Sequence, residues 1–164
     1  MGIKKSLLIE LERETQNTRR VLECLSDEHL LWRPHPKSMS VAELCCHVVE
    51  LHNWVSEALV KSVFDFKVDY KRLQTNSIQE IRDILEAGYP LNKQAIENAS
   101  DESWEEEWTL QAGDWIIAKV PKAGAIRFII NNHIIHHRGQ LTVYLRLLDI
   151  PVPGLYGPSA DDQQ

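Results

Sequence analysis

The stretch NNHIIHHRGQLTVYLRLL, residues 131–148, places imidazoles and an amide in what otherwise reads as a buried amphipathic helix. At about 100° per residue, His133 and His137 lie roughly 40° apart on the helical wheel, with Gln140 beside them. Apolar residues share this arc and form a stripe around the polar side chains: Ile126, Ile129, Ile130, Tyr144, Leu147 and Leu148. The pattern therefore predicts histidines in the middle of a core-facing stripe.

Two imidazoles spaced four residues apart on one helix face can converge on a single metal ion, at about 2.0–2.1 Å from each nitrogen. Without a metal, each buried imidazole needs a hydrogen-bond partner, because an unpaired buried polar group costs about 1–3 kcal/mol. A good site requires a third ligand from another helix. In SVAELCCHVVELHNWVSEAL, residues 40–59, His47 lies within the apolar arc. His52 is rotated roughly 140° away from it and is expected to face solvent.

The sequence therefore predicts a metal site formed by His47, His133 and His137, with His136 at the edge of the stripe as a fourth candidate. Three neutral imidazoles suit Zn, Ni, Cu or Fe(II) and leave coordination positions open for water or substrate, as in catalytic sites. Gln140 has two interpretations of equal weight. It either bonds a ligand imidazole or a metal-bound water, or it is a buried amide satisfied by a neighbouring helix.

Other polar residues near the histidines have simpler interpretations. Glu43 and Glu50 flank His47 on the wheel, and either could orient a ligand or act as a base. A helix cap for Glu43 and a surface position for Glu50 are better supported. Because the wheel turns Arg138 away from the stripe, we expect it to cap local structure or to form an ion pair near the helix surface. Gly139 is expected to allow close helix approach.

Apolar periodicity and capping signals predict four long helices and one hairpin. The helices span about Ser6 to Leu25, Ser40 to Val63, Ser77 to Ala99 with a kink or break at Gly88 and Pro90, and Lys122 to Leu148. Residues 108–120 alternate enough to suggest a short β-hairpin that turns at Ala112–Asp114. The predicted fold is all-α: one domain over residues 1–164, a four-helix bundle with a short hairpin between helices three and four.

The composition is that of a globular protein, with 43% hydrophobic and 26% charged residues. Because the net charge is −6 and the basic residues are scattered, nucleic acid is not an expected partner. No run reaches about 18 apolar residues, so no membrane span is expected, and the short apolar run after Lys5 is not a signal peptide. We expect a cytoplasmic protein, in which Cys24, Cys45 and Cys46 pack as small hydrophobic side chains rather than forming a disulfide framework.

The segments LWRPHPKSMSVAELCCHVVELHNW and NHIIHHRGQLTVYLRLLDIPVPGLYGPSADD resemble the DinB superfamily, which includes the YfiT-like bacillithiol transferases. The resemblance covers most of the chain. It comprises the Trp-x-Pro connection at Trp32–Pro34, the histidine at His47, the His-x-x-x-His-Arg-Gly-Gln run at 133–140 and the Tyr-Gly-Pro-Ser-Ala-Asp tail at 156–161.

This resemblance implies a four-helix bundle in which His47, His133 and His137 hold a divalent metal, commonly nickel or zinc. It also implies frequent homodimers, an expectation that the five tryptophans support. Some relatives are thiol-dependent S-transferases or isomerases, and others were named as metal-dependent hydrolases. We therefore expect a metal-dependent enzyme acting on a small molecule, with a low-molecular-weight thiol transferase favoured over a hydrolase and no base assigned. The alternative is a non-catalytic metal-binding or ligand-binding bundle.

Overall fold

A computed structural model describes residues 2–75 and 77–162. Within these residues, four long helices make up most of the molecule, as the all-α prediction requires. They are α1 (Ile3–Glu23), α2 (Val41–Val60), α3 (Ile78–Asn98) and α4, which comprises the consecutive segments Lys122–Gly124, Ala125–Asn131 and Asn132–Leu147. The middle segment of α4 is π-helical. None of the helices described is long and apolar enough to cross a membrane.

Helix α2 is the central helix of the bundle and contacts α1, α3 and α4. It begins at the predicted capping box, in which Ser40 Oγ accepts from the Glu43 amide at 3.2 Å and Glu43 accepts from the Ser40 amide at 2.8 Å. Buried residues occur on nearly every side of it, as is typical of a helix enclosed by others. No broad face of α2 is therefore left to solvent along its length.

Helix α3 continues from Ile78 to Asn98 through Gly88 and Pro90, so the predicted break is absent from this described segment. Pro90 is exposed, as is Glu86, whose carbonyl loses its helical donor and is free to bond water. Gly88 faces α2, where an added Cβ would overlap the side chain of Asn53. The glycine thus permits close packing of α3 on α2 and does not end the helix.

The predicted hairpin is confirmed by strands β2 (Glu107–Ala112) and β3 (Trp115–Pro121), which pair antiparallel. Gly113, at the centre of the predicted turn, has φ +64°, a conformation that glycine adopts without strain. A further strand, β1 (Val63–Asp65), pairs parallel to β2. Strand β1 was not predicted, because its three residues are too few to display strand alternation.

The sheet anchors the loop that follows β1, residues 66–75. The amide of Phe66 donates to Gln111 O of β2 at 2.9 Å, and the Asp65 amide donates to the Asp69 carboxylate at 2.9 Å. Phe64 packs on Trp54 of α2 with ring centroids 4.7 Å apart. These contacts hold the 66–75 loop against the outer side of α2, beside His47.

The three cysteines behave as small hydrophobic residues, as predicted. Cys45 and Cys46 are buried in α2, Cys24 is half-buried, and all are free thiols. Burial raises the pKa of each thiol above its ordinary value. They are therefore poorly suited to act as nucleophiles or metal ligands near neutral pH.

Candidate metal centre

Helices α2 and α4 bring together the three histidines of the predicted triad. His47, His133 and His137 each offer a nitrogen, and these atoms all lie within 4.8 Å of one another. The Nε2 atoms of His47 and His133 are 3.4 Å apart. His136 is exposed and is not part of this group, so the fourth candidate does not join the triad. The cluster is half-buried, open enough for a small ligand to reach it.

Hydrogen bonds on the outer nitrogens orient two of the rings. His47 Nδ1 lies 3.3 Å from Glu50 Oε2, and His137 Nδ1 lies 2.8 Å from Gln140 Oε1. Both partners accept, so each Nδ1 carries the proton and each Nε2 presents its lone pair to the cluster. This is the arrangement expected of imidazoles that ligate a metal through Nε2.

Gln140 matches the first of its two interpretations, a bond to a candidate ligand imidazole. The second, a buried amide satisfied by another helix, is wrong: Gln140 is exposed and bonds within α4, its amide nitrogen lying 3.2 Å from His136 Nε2. Gly139 does not serve close helix approach either, because a Cβ there would meet nothing within 4 Å.

Glu50 lies beneath the cluster rather than on the surface, so its predicted surface position is wrong. Its side chain is 7% exposed and accepts from Tyr70 Oη at 2.9 Å and from the Leu73 amide. The 66–75 loop folds over this side of α2, which the sequence pattern of the helix alone could not reveal. Burial and the adjacent Glu50 carboxylate raise the pKa of Tyr70 to about 12, so its hydroxyl remains a donor.

The environment of the cluster favours the neutral form of His133 and His137. Burial lowers the pKa of His133 to about 4, with a further contribution from the neighbouring His137 and His47. Burial also lowers the pKa of His137, although the hydrogen bond to Gln140 opposes this shift. Neutral imidazole is the form that binds a metal. Three neutral nitrogens fit a divalent ion such as Zn, Ni, Cu or Fe(II) and can supply part of its coordination shell.

The buried face of α4 differs from the predicted stripe. Its centre is Ile134, Arg138, Leu141 and Leu145, whereas His133 and His137 lie on its flank. The prediction assumed a uniform α-helix, but the π-helical segment Ala125–Asn131 shifts the phase of the helix just before His133. Leu147, placed in the stripe, is 57% exposed.

Arg138 is 1% exposed, so the prediction that it points to the surface is wrong. It forms an ion pair with Glu14 of α1, and its Nη1 donates to Glu14 O at 3.0 Å and to Thr18 Oγ1 at 3.1 Å. Tyr156 of the C-terminal tail donates to Glu14 at 2.6 Å. A helical wheel based on hydrophobicity places charged residues outside the core, because it takes no account of a partner on another helix that neutralises the charge.

His52 is also buried, at 1% exposure, which contradicts the expected solvent-facing position. Its Nε2 lies 2.8 Å from Thr18 Oγ1. The side of α2 opposite His47 is covered by other helices. A residue on that side, such as His52, is therefore not exposed to solvent. Burial, followed by the nearby Arg138 charge, lowers the pKa of His52 to about 3. We call the buried residues Glu14, Thr18, His52 and Arg138, together with the exposed Tyr156 that bonds them at their edge, the buried network.

A cleft of about 240 Å³ opens beside His47. Its walls come from the start of α2 and the 66–75 loop: Met39, Glu43, His47, Glu50, Tyr70, Arg72 and Leu73. Glu43 has the predicted capping role and also pairs with Arg72 at 3.1 Å and with Arg33 at 3.3 Å. The sequence analysis did not identify Tyr70 or Arg72, because the loop that carries them has no motif.

Comparison with known proteins agrees with this architecture. A family model described as the DinB family matches residues 1–164. The chain belongs to the DinB family. As this family is metal-binding, the three clustered histidines are residues that could hold its ion.

Individual DinB relatives are distant in sequence but similar in fold. The Bacillus subtilis (strain 168) "Uncharacterized protein YrdA" is 26% identical over 151 residues, which cover 92% of this chain and 86% of YrdA. A crystal structure of a DinB-like protein from Bacillus cereus ATCC 10987 aligns with TM-score 0.73 at 23% identity, over 93% of this chain and 97% of that one. The DinB-like protein YjoA of Bacillus subtilis aligns with TM-score 0.72 at 19% identity, over 94% and 99% of the two chains.

Proposed function

We propose that the protein is a metal-dependent enzyme that acts on a small molecule, and that His47, His133 and His137 are its metal ligands. The observation that carries the proposal is the convergence of three imidazole nitrogens within 4.8 Å at the edge of a cleft. Nickel and zinc are the favoured ions, because the resemblance to the DinB superfamily suggests them and three imidazoles suit both. A bound divalent ion lowers the pKa of a thiol or a water molecule and so supplies a nucleophile near neutral pH.

The chain's own residues prepare the site for that chemistry. Glu50 and Gln140 hold His47 and His137 in the tautomer with a free Nε2. Tyr70 and the Leu73 amide in turn fix the Glu50 carboxylate. The cleft has room for a small substrate beside His47. Held in this way, the imidazoles need little reorganisation when a ligand arrives.

Among possible reactions, transfer of a low-molecular-weight thiol to an electrophile is our first choice, and hydrolysis is the second. Both reactions use the same nucleophile position. The experiment is to assay metal-loaded protein against electrophiles with a panel of thiols, and against esters and amides without thiol. Thiol-dependent turnover that disappears in a His137→Ala variant supports the transferase. Turnover of esters or amides that requires metal but no thiol would favour the hydrolase instead.

A non-catalytic metal site is the alternative. It is favoured by the position of the ligands, because an ion held by His47 and His133 would tie α2 to α4, two helices that are far apart in sequence. In that case metal would raise the melting temperature of the protein, and every substrate in the panel would remain unconverted.

We further propose that the protein forms a homodimer through the outer face of α4. Phe128 is 69% exposed and Ile135 is 38% exposed, and both line one groove with residues of α1. Proteins of the DinB superfamily commonly form homodimers, which favours a second copy of this chain as the occupant of the groove. Light scattering at high concentration should give twice the 18.9 kDa chain mass, and a Phe128→Glu variant should be monomeric. A wild-type monomer would contradict the proposal.

A further inference from the structure

We propose that Arg72, assisted by Arg33, binds a carboxylate on the small molecule whose donor atom reaches the histidine cluster. The substrate class is thus an anionic thiol rather than a neutral one. This inference rests on the proposed function, since it assumes that a ligand occupies the cleft beside His47.

The arginines outnumber the carboxylate that they share. Arg72 Nη2 lies 3.1 Å from Glu43 Oε1, and Arg33 Nη2 lies 3.3 Å from Glu43 Oε2. A guanidinium group has five N–H donors, and Arg72 makes one hydrogen bond among the described residues, to Glu43, which leaves most of its donors for a ligand. Its side chain is 50% exposed, so a ligand in the cleft can reach it.

Arg72 lines three neighbouring cavities, two of which open beside the start of α2. It lines the 240 Å³ cleft that contains His47 and an adjoining cleft of about 470 Å³ that runs along the start of α2. Arg33 lines the second of these. A molecule with one end at the histidines and an anionic group at the other end would pass along Arg72. The planar fork of a guanidinium is suited to a carboxylate.

The backbone at the start of α2 does not offer a competing anion site. The amides of Val41 and Ala42 donate to Trp32 O at 2.9 Å and to Leu30 O at 3.0 Å. The Ser40 and Glu43 amides are taken by the capping box. Side chains must therefore supply the donors for an anion here, and Arg72 and Arg33 are the basic side chains that line these clefts at the α2 end.

Charge balance points in the same direction. In the cleft beside His47, Glu50 is already engaged by Tyr70 and Leu73, and Glu43 is shared by both arginines. When Arg33 of the adjoining cleft is counted, two guanidinium groups balance the carboxylates of Glu43 and Glu50. A divalent ion on the histidines would add two positive charges to this balanced set. An anionic ligand offsets that excess, whereas a neutral ligand does not.

The test is calorimetric titration of the metal-loaded protein with two thiols of similar size, 3-mercaptopropionate and 3-mercapto-1-propanol. We expect the carboxylate thiol to bind about tenfold more tightly, as a charge-assisted hydrogen bond at a partly exposed site allows. Because the pair is half-exposed, this preference should shrink as salt is raised. The metal content of the protein is measured after each titration, to check that the thiol has not removed the ion.

Variants separate the role of Arg72 from general charge effects. Arg72→Gln should abolish the preference, whereas Arg19→Gln, which breaks an ion pair with Glu86 between α1 and α3, should keep it. Glu43→Gln should strengthen binding of 3-mercaptopropionate, because glutamine preserves the capping box but no longer competes for the arginines. Comparing the ratio of affinities between variants cancels the intrinsic difference between the thiols.

A wild type that binds both thiols equally, or a preference that survives in Arg72→Gln, would overturn the inference. A clear preference in a protein that turns over no substrate would support the anion site and count against the proposed enzymatic function. A protein that binds no metal would contradict both the inference about Arg72 and the proposed enzymatic function.

Discussion

Two polar clusters in the described part of the bundle, the buried network and the histidine cluster, differ in where their polar atoms point. In the buried network, Arg138 and Tyr156 donate to Glu14, and Thr18 links Arg138 to His52. In the histidine cluster, the outer nitrogens of His47 and His137 have such partners, and the Nε2 atoms of His47 and His133 face one another across 3.4 Å. Buried polar atoms are normally paired. The buried network is structural because its cation and carboxylate neutralise each other, although Arg138 Nε has no partner among the described residues. Imidazole nitrogens that converge with no cation or carboxylate between them indicate a ligand instead.

The largest effect should come from the buried network. Arg138→Met leaves the Glu14 carboxylate buried without its cation, and we expect a loss of about 3–5 kcal/mol in unfolding free energy. Arg146→Met, on the same helix, breaks an exposed pair with Asp161 and should cost less than about 1 kcal/mol. Urea denaturation measures both. Similar losses in the two variants would mean that burial does not distinguish these ion pairs.

The histidine cluster should respond to metal instead. An ion that binds only the native state stabilises it by about 2.7 kcal/mol when its free concentration is one hundred times its dissociation constant. Adding Zn or Ni to chelator-treated protein should raise the melting temperature, and His137→Ala should eliminate this increase. An equal increase in His137→Ala would place the bound ion elsewhere.

Substitution of Glu50 tests whether its hydrogen bond to His47 strengthens metal binding by the histidine cluster. Glu50→Gln weakens the acceptor for His47 Nδ1–H, and loss of such a partner typically lowers metal affinity by about 10–100-fold. Glu57→Gln, on the same helix but with no contact to His47, is the matched control. Competition with a chromophoric chelator measures the affinities. Unchanged affinity in Glu50→Gln would show that the carboxylate only anchors the 66–75 loop.

The effect that is smallest at neutral pH is a pH dependence in the buried network, which grows on acidification. His52 has a folded pKa of about 3, whereas an unfolded histidine titrates near 6.5. Between these values the unfolded state binds a proton that the folded state does not, so stability falls by about 1.4 kcal/mol per pH unit as pH decreases below 6.5. Above pH 6.5 His52 contributes no pH dependence. In His52→Leu, unfolding free energy should fall less steeply on acidification, and an unchanged slope would contradict the assignment.

Helix number, capping and the hairpin could be predicted because each has a local cause. Ser40 and Glu43 form a cap within one turn, and Gly113 lies in the predicted turn, where it adopts a positive φ. The triad was also accessible, since His133 and His137 share a helix face and His47 lies on a central helix.

The remaining features depend on contacts between distant segments. Glu50 is buried because the 66–75 loop folds over α2, and Arg138 is buried because Glu14 of α1 neutralises it. A helical wheel treats each helix alone and places charged residues outside. The π-helical segment before His133 shifts the phase of the helix, and no residue type in that segment predicts the shift. Polar residues at helix contacts are therefore where the sequence pattern fails.

The central claim is that convergent imidazoles, rather than buried ones in general, bind the metal. Elemental analysis of purified protein tests it most directly, in wild type and in single alanine variants of His47, His133, His137 and His136. We predict that each triad variant loses most of its bound divalent metal, because two imidazoles bind far more weakly than three. His136→Ala, next to the cluster but exposed, should retain it. Full retention in His47→Ala and His137→Ala would contradict the claim and the function built on it.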